Sequence, residues 1–196
     1  MVRTPERALS RARRTVAYLV SGAHDEAAAA AARAAVEEEA LGLDWQFAAD
    51  GSPGATSDRA EAIHKVIASS GFTGASGSGM KRFLAEVNPR GPAALVVFAP
   101  PTMGPWLDEM RAVASQRYGR VRVVIAVDAV HDPAAQTFWR RWMLRPVGSS
   151  GVDRSDLERV GRALGQLRCE VVIIDRVSGR VLGDGRHLGS ARRRAA

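Results

Sequence analysis

The chain has 196 residues, of which 46% are hydrophobic and 25% are charged, a composition that suits one globular domain with a sizeable core. Its formal net charge is +7, and its single cysteine, Cys169, excludes an internal disulfide bond and a metal site built from several cysteines. No segment reaches the roughly 20 consecutive apolar residues of a membrane span, so we expect a cytoplasmic protein without a membrane partner.

The basic residues are almost all arginines. Of the 28 basic side chains only Lys65 and Lys81 are lysines, and the other 26 are arginines. Guanidinium groups pair bidentately with phosphate oxygens, which favours a polyanionic partner. The codon usage of a GC-rich genome produces the same bias, so composition alone leaves both interpretations open.

Basic segments flank a predicted central domain. Residues 1–14 are interpreted as a basic arm, residues 15–183 as a single α/β domain, and residues 184–196 as a basic, disordered tail. The pair Arg13-Arg14 precedes an apolar run that is too short for an export signal. The side chains predicted to contact DNA phosphates are Arg13, Arg14, Lys81, Arg82, Arg192, Arg193 and Arg194.

Strands and helices alternate through the first half of this domain. The predicted strands cover residues 15–21, 43–49 and 93–99, and the predicted helices cover residues 25–41, 58–69 and 80–87. The segment 93–99 is continuously apolar, which is typical of a central parallel strand covered on both faces.

The second half continues the pattern and adds a hairpin. Helices are predicted over 106–118, from Pro133 onwards and over 153–167, and a strand over 121–127. Residues 170–175 and 180–182 flank a turn at 177–179, as in a β-hairpin. This order predicts a three-layer α/β fold, with a mainly parallel sheet flanked by helices and a C-terminal β-hairpin.

Two candidate functional segments follow the first two predicted strands. Ser21 ends the first strand, and residues 50–59 form a predicted mobile loop that ends in an N-cap candidate, Ser57 or Asp58, followed by Arg59. Ligands of open α/β sheets bind outside the carboxyl ends of the strands. A serine there can act as a nucleophile, bind a phosphate, or simply cap a turn.

Other motifs are weaker. Residues 71–79 have the glycine spacing of a P-loop without its Lys-Ser/Thr ending, so we interpret them as a flexible linker. The four histidines show no metal-binding spacing, and no metal or cofactor is predicted. A stripe of large apolar residues can pack on the sheet or form a homodimer interface, and it comprises Phe138, Trp139 and Trp142.

Several of these motifs together resemble the catalytic domain of serine recombinases, the resolvase/invertase family. The resemblance runs over roughly residues 15–128 and depends on Val20-Ser21, on residues 50–54 with Asp58-Arg59, and on the helix and strand at 80–98. Members of that family attack a DNA phosphodiester with a serine while arginines neutralise the developing charge. The resemblance therefore implies Ser21 as nucleophile and Arg59 as phosphate ligand.

The chain departs from that family where the chemistry is most demanding. Leu19 and Pro53 replace an arginine and a serine of the family pattern, and residues 101–105 replace its Asp-Arg-Leu-x-Arg segment. Loss of one charge-stabilising donor lowers a rate by about 10²–10³, so we expect DNA binding with little or no strand cleavage. The alternatives are a nucleotide- or nucleoside-binding enzyme or sensor built from the strand-end loops, and a regulatory protein that dimerises through Trp139 and Trp142.

Overall fold

A computed structural model describes residues 14–22, 25–87, 93–114, 118, 120–128, 130–131, 152–176 and 180–184. Its strands are β1 (Arg14–Leu19), β2 (Trp45–Ala49), β3 (Ser52–Thr56), β4 (Ala93–Ala99), β5 (Arg120–Val127), β6 (Val130–His131), β7 (Val152–Asp153), β8 (Glu170–Asp175) and β9 (Arg180–Asp184). Its helices are α1 (Asp25–Glu37), α2 (Arg59–Ser69), α3 (Met80–Val87), α4 (Trp106–Ala114) and α5 (Arg154–Gln166).

Seven strands form one mixed sheet in the order β3-β2-β1-β4-β5-β8-β9. The five central strands run parallel to their neighbours, whereas β3 and β9 pair antiparallel at the two edges. This arrangement confirms the predicted mainly parallel sheet with a C-terminal hairpin. A separate ladder of two residue pairs joins β6 to β7 and was not predicted.

Helices cover both faces of the sheet, which confirms the three-layer architecture. Strand β4 is buried along its whole length because α1 covers one of its faces and α3 and α4 cover the other. Alanines of α1, among them Ala28 and Ala32, are buried in one cluster with Ala17 and Phe98 of the sheet, because small side chains let the helix approach closely.

The opposite face holds the larger side chains. Trp106, Met110 and Phe83 are fully buried between α3, α4 and the sheet, and the ring of Phe83 lies 5.6 Å from that of Tyr18. Full burial of one such side chain contributes about 1.5–3 kcal/mol. This cluster fixes α3 and α4 on the sheet. The loops that precede these helices are therefore held at the end of the sheet where its parallel strands terminate.

Residues 50–59 do not form the mobile loop that we predicted. They form a tight turn at Asp50-Gly51, the edge strand β3, and the start of α2, whose N-cap is Asp58; the Asp58 carboxylate accepts a hydrogen bond from the amide of Glu61 at 2.8 Å. Pro53 and Gly54 suggest a loop in the sequence, but an edge strand tolerates both because one side of its backbone needs no partner.

Some expectations fall outside the described residues. They include the helix from Pro133, the turn at 177–179 and most of the basic arm and tail, although Arg14 lies in β1 rather than in the arm. Among the described residues, no helix is long and apolar enough to cross a membrane.

Candidate functional site

The crevice at which ligands bind in open α/β sheets lies here between β1 and β4. The chain leaves β1 toward β2 on one side, and β4 lies on the other side of β1, so the two connections diverge. The loop after β1 contains Ser21 and Gly22, and the loop after β4 packs tightly on it. A β-carbon added to Gly22 would lie 3.1 Å from Cγ of Pro100. We call this end of the sheet the carboxyl edge.

A buried carboxylate, that of Asp50, lies at the carboxyl edge. Asp50 follows β2 and is completely buried. Its Oδ1 accepts a hydrogen bond from the Tyr18 hydroxyl at 2.7 Å, and its Oδ2 accepts one from the Ser21 amide at 2.9 Å and one from the Gly77 amide at 2.7 Å. Two segments that are far apart in the sequence, one with Tyr18 and Ser21 and the other with Gly77, therefore converge on one side chain.

The charge of Asp50 has no cationic partner among the described residues, because none of the ion pairs found there includes it. Hydrogen bonds from neutral donors must then stabilise it. Burial, reinforced by the negative charge of Asp50, raises the pKa of the Tyr18 phenol far above its usual value. Tyr18 therefore stays neutral and remains a hydrogen-bond donor to Asp50.

The segment 71–79, interpreted above as a flexible linker, is instead held against the core. Gly77 is buried with φ +82°, and a β-carbon on it would lie 2.8 Å from Cα of Trp106. At the other end of the segment, Phe72 packs on Gly51 of the hairpin turn. The glycines allow this close approach, and the bond from Gly77 to Asp50 fixes the segment over the carboxyl edge.

The structure does not bring Ser21 and Arg59 together. The Ser21 hydroxyl is nearly buried and donates a hydrogen bond to the carbonyl of Ser69, the last residue of α2, at 2.8 Å. Arg59 is the first residue of the same helix and pairs with Glu39 at 2.6 Å. At 1.5 Å per residue the two ends of α2 are about 15 Å apart, so the two predicted catalytic residues lie at opposite ends of a helix.

Three predicted phosphate contacts lie among the described residues. Lys81 and Arg82 are exposed in the first turn of α3. Arg14 begins β1, and its Nε lies 3.7 Å from a carboxylate oxygen of Asp44. The remaining predicted contacts and interface residues lie outside the described residues, and they are Arg13, Arg192, Arg193, Arg194, Phe138, Trp139 and Trp142.

Charge is distributed unevenly along the chain. The predicted domain, residues 15–183, holds 19 of the 28 basic and 19 of the 21 acidic side chains, a balance of zero. The terminal segments, residues 1–14 and 184–196, hold nine basic and two acidic side chains, a balance of +7. The whole net charge of the protein therefore resides in its two terminal segments.

Cys169 is the one cysteine, and it is buried at the start of β8. Burial raises the pKa of its thiol to about 11. Among the described residues no group of histidine, cysteine and acidic side chains is arranged to hold a metal ion.

We expect Cys169 to react very slowly with a disulfide reagent in the native protein, because about one thiol in a thousand is then ionised at pH 8 and the thiolate is the reactive form. The measurement is the rate of colour development with an aromatic disulfide at pH 8. The same protein unfolded in guanidinium chloride serves as the control and should react at the rate of a free thiol. Equal rates in the two states would contradict the burial of Cys169.

Asp50, Tyr18 and Gly77 form a tightly constrained cluster at the carboxyl edge; the sequence analysis placed Asp50 in the candidate segment 50–59 without a role of its own and gave no functional role to Tyr18 or Gly77. The available signal was an acidic residue directly after a buried strand, because such a position faces the crevice of the sheet. Gly77 carried no signal of its own, since its partners Asp50 and Trp106 are distant in the sequence.

The order β2-β1-β4-β5-β8 of the parallel strands and the crevice between β1 and β4 define a doubly wound α/β domain. Comparison with protein-family models, with curated proteins and with solved structures gives no match for this chain.

Proposed function

We propose that this protein is a recombinase-like α/β domain that binds DNA through its arginine-rich segments and has little or no strand-cleavage activity. The observation that carries the proposal is the separation of charge between residues 15–183, whose charges balance, and the terminal segments 1–14 and 184–196, which carry the whole net charge of +7. Arginines that bind phosphates release condensed counterions, which gives affinity without base contacts. We therefore expect strong salt dependence and weak sequence preference.

The environment of Ser21 supports the absence of cleavage. A serine nucleophile needs an adjacent base or an activating charge and access to the substrate. Ser21 is 4% exposed, and its hydroxyl donates a hydrogen bond to the Ser69 carbonyl. The arginine that would stabilise the transition state, Arg59, is paired with Glu39 at the far end of α2.

The test is fluorescence anisotropy of a labelled DNA duplex with the full chain, from about 50 mM to about 200 mM salt, where the logarithm of the affinity should fall with a slope of about −0.9 per phosphate contact. Replacing Arg192, Arg193 and Arg194 together by alanine should reduce the steepness of that slope by up to about three units, because each lost contact removes about one unit.

A matched control removes three arginines from the helices of the α/β domain. Arg33, Arg111 and Arg159 each pair with an acidic neighbour on their own helix, so their joint replacement by alanine changes the net charge equally and should leave most of the slope intact. No binding at the lowest salt, or equal losses in the two triple variants, would contradict the proposal. A covalent protein–DNA adduct that is lost in Ser21→Ala would contradict the part that denies cleavage.

The alternative proposal, a nucleotide- or nucleoside-binding enzyme or sensor, draws support from Glu109, a half-buried carboxylate in the first turn of α4, directly after the loop that follows β4. An increase in Tm with nucleotides or nucleosides, together with an absence of duplex binding, would favour this alternative.

A further inference from the structure

The Asp50 carboxylate lies at a position where an anionic ligand, such as a phosphate group, could bind. The amides of Ser21 and Gly77 come from two different loops and point at the same oxygen, Oδ2, at 2.9 and 2.7 Å. Backbone N–H groups that converge on one oxygen are donors with which proteins stabilise oxyanions. They lie at the crevice between β1 and β4, where doubly wound sheets bind ligands.

The geometry points to a latent oxyanion site in which Asp50 holds the place of a phosphate group, and in which loop 71–79 is the lid that opens to exchange the two. The Ser21 and Gly77 amides and the Tyr18 hydroxyl are the donors that the incoming phosphate oxygens would take over. A tetrahedral phosphate offers more acceptor oxygens than a carboxylate and can engage all three donors at once.

The parts that must move for this exchange are those the sequence makes adaptable. Asp50 lies in a tight turn beside Gly51, which has φ +79°, so the turn contains no bulky side chain. The lid is composed mainly of glycine, serine and alanine, and most of its residues are exposed. A buried carboxylate without a cation also gains solvation when it leaves the site, which offsets part of the cost of opening.

The phosphate can belong to a free small molecule or to the DNA backbone. Both sources present the same oxyanion to the same donors, and an experiment with inorganic phosphate and with a DNA duplex as separate probes distinguishes them. The inference does not depend on the proposed function, because the arginine-rich segments can bind DNA whether or not this site opens.

The experiment follows the amide resonances of Ser21 and Gly77 by two-dimensional NMR during a titration of the full-length protein with inorganic phosphate at constant ionic strength. We expect both resonances to shift and saturate together, whereas the amide of Gly42, exposed in the turn after α1, stays in place. In Asp50→Asn the phosphate concentration at half-saturation should fall about tenfold, because a neutral amide competes less well than a carboxylate for the same donors.

The matched control is Asp58→Asn, which makes the same charge change at the exposed N-cap of α2 and should leave the midpoint of the wild-type protein unchanged. If Asp50→Asn does not fold, the titration of the wild-type protein with the two probes decides the inference by itself. Shifts with the duplex alone would assign the site to DNA phosphates. The inference would be overturned if neither probe shifted the Ser21 and Gly77 resonances, in the wild type and in the folded variants.

Discussion

Replacement of Asp50 by alanine is expected to destabilise the protein by about 3 kcal/mol or more, because each buried donor that is left without an acceptor costs about 1–3 kcal/mol. The substitution leaves the Tyr18 hydroxyl and the Ser21 and Gly77 amides without their acceptor while all remain enclosed. Equilibrium unfolding in denaturant, followed by circular dichroism, measures the loss. The denaturant concentration at the unfolding midpoint should fall strongly, whereas the dependence of the free energy of unfolding on denaturant concentration should not change.

Asp58→Ala is the matched comparison, since it removes an aspartate from the other end of α2. Asp58 is exposed and caps the helix through one hydrogen bond to the Glu61 amide, so its loss should cost about 1 kcal/mol. If the two variants lose the same stability, Asp50 does not organise the carboxyl edge in the way that its three hydrogen bonds indicate.

The parts of the fold that the sequence predicts well are those whose pattern is local. Strands β4 and β8 and helix α3 begin and end at the predicted residues. In β4 every residue is apolar and buried, so the run itself marks the strand. In α3 the apolar residues recur at helical spacing, and all of them lie on the buried face. Such patterns need no knowledge of distant partners.

The hairpin of β2 and β3 shows where this approach fails. Strand β3 reads Ser-Pro-Gly-Ala-Thr, which has the composition of a loop, and it becomes a strand because β2 offers a free edge. Tertiary pairing therefore overrides local propensity. Helix α1, predicted to run to residue 41, ends early for a different and local reason. Glu39 adopts φ 57° and terminates the helix before the predicted stop at Gly42.

The candidate site was only partly predictable. Its location at the carboxyl edge follows from the alternation of strands and helices, and Ser21 was correctly placed at the end of the first strand. The pairing of Ser21 with Arg59 relied on a resemblance between short motifs, and β3 carries the chain away from the carboxyl edge before Arg59 is reached. The central role of Asp50 depends on contacts with Tyr18 and Gly77, which lie 32 and 27 residues away.

Gly77→Ala is expected to be the second strongly destabilising substitution, with a loss of about 2–4 kcal/mol from backbone strain and overpacking together. At φ +82° an alanine is strained in any surroundings. Its β-carbon would also lie 2.8 Å from Cα and 2.9 Å from Cβ of Trp106, atoms at the rigid start of α4 that cannot rotate away. The loop must therefore shift, and the hydrogen bond from Gly77 to Asp50 lengthens with it.

Gly42→Ala separates these two contributions. Gly42 has φ +86°, but nothing lies within 4 Å of a β-carbon added to it, so its replacement should cost only the strain, about 1 kcal/mol. Denaturant unfolding of both variants gives the difference, which reports the close approach of the loop to Trp106. Because Gly77 and Asp50 share a hydrogen bond, Gly77→Ala and Asp50→Ala should be less than additive when combined. Full additivity would mean that the loop and the carboxylate are held independently, and loop 71–79 could then not act as a lid controlled by Asp50.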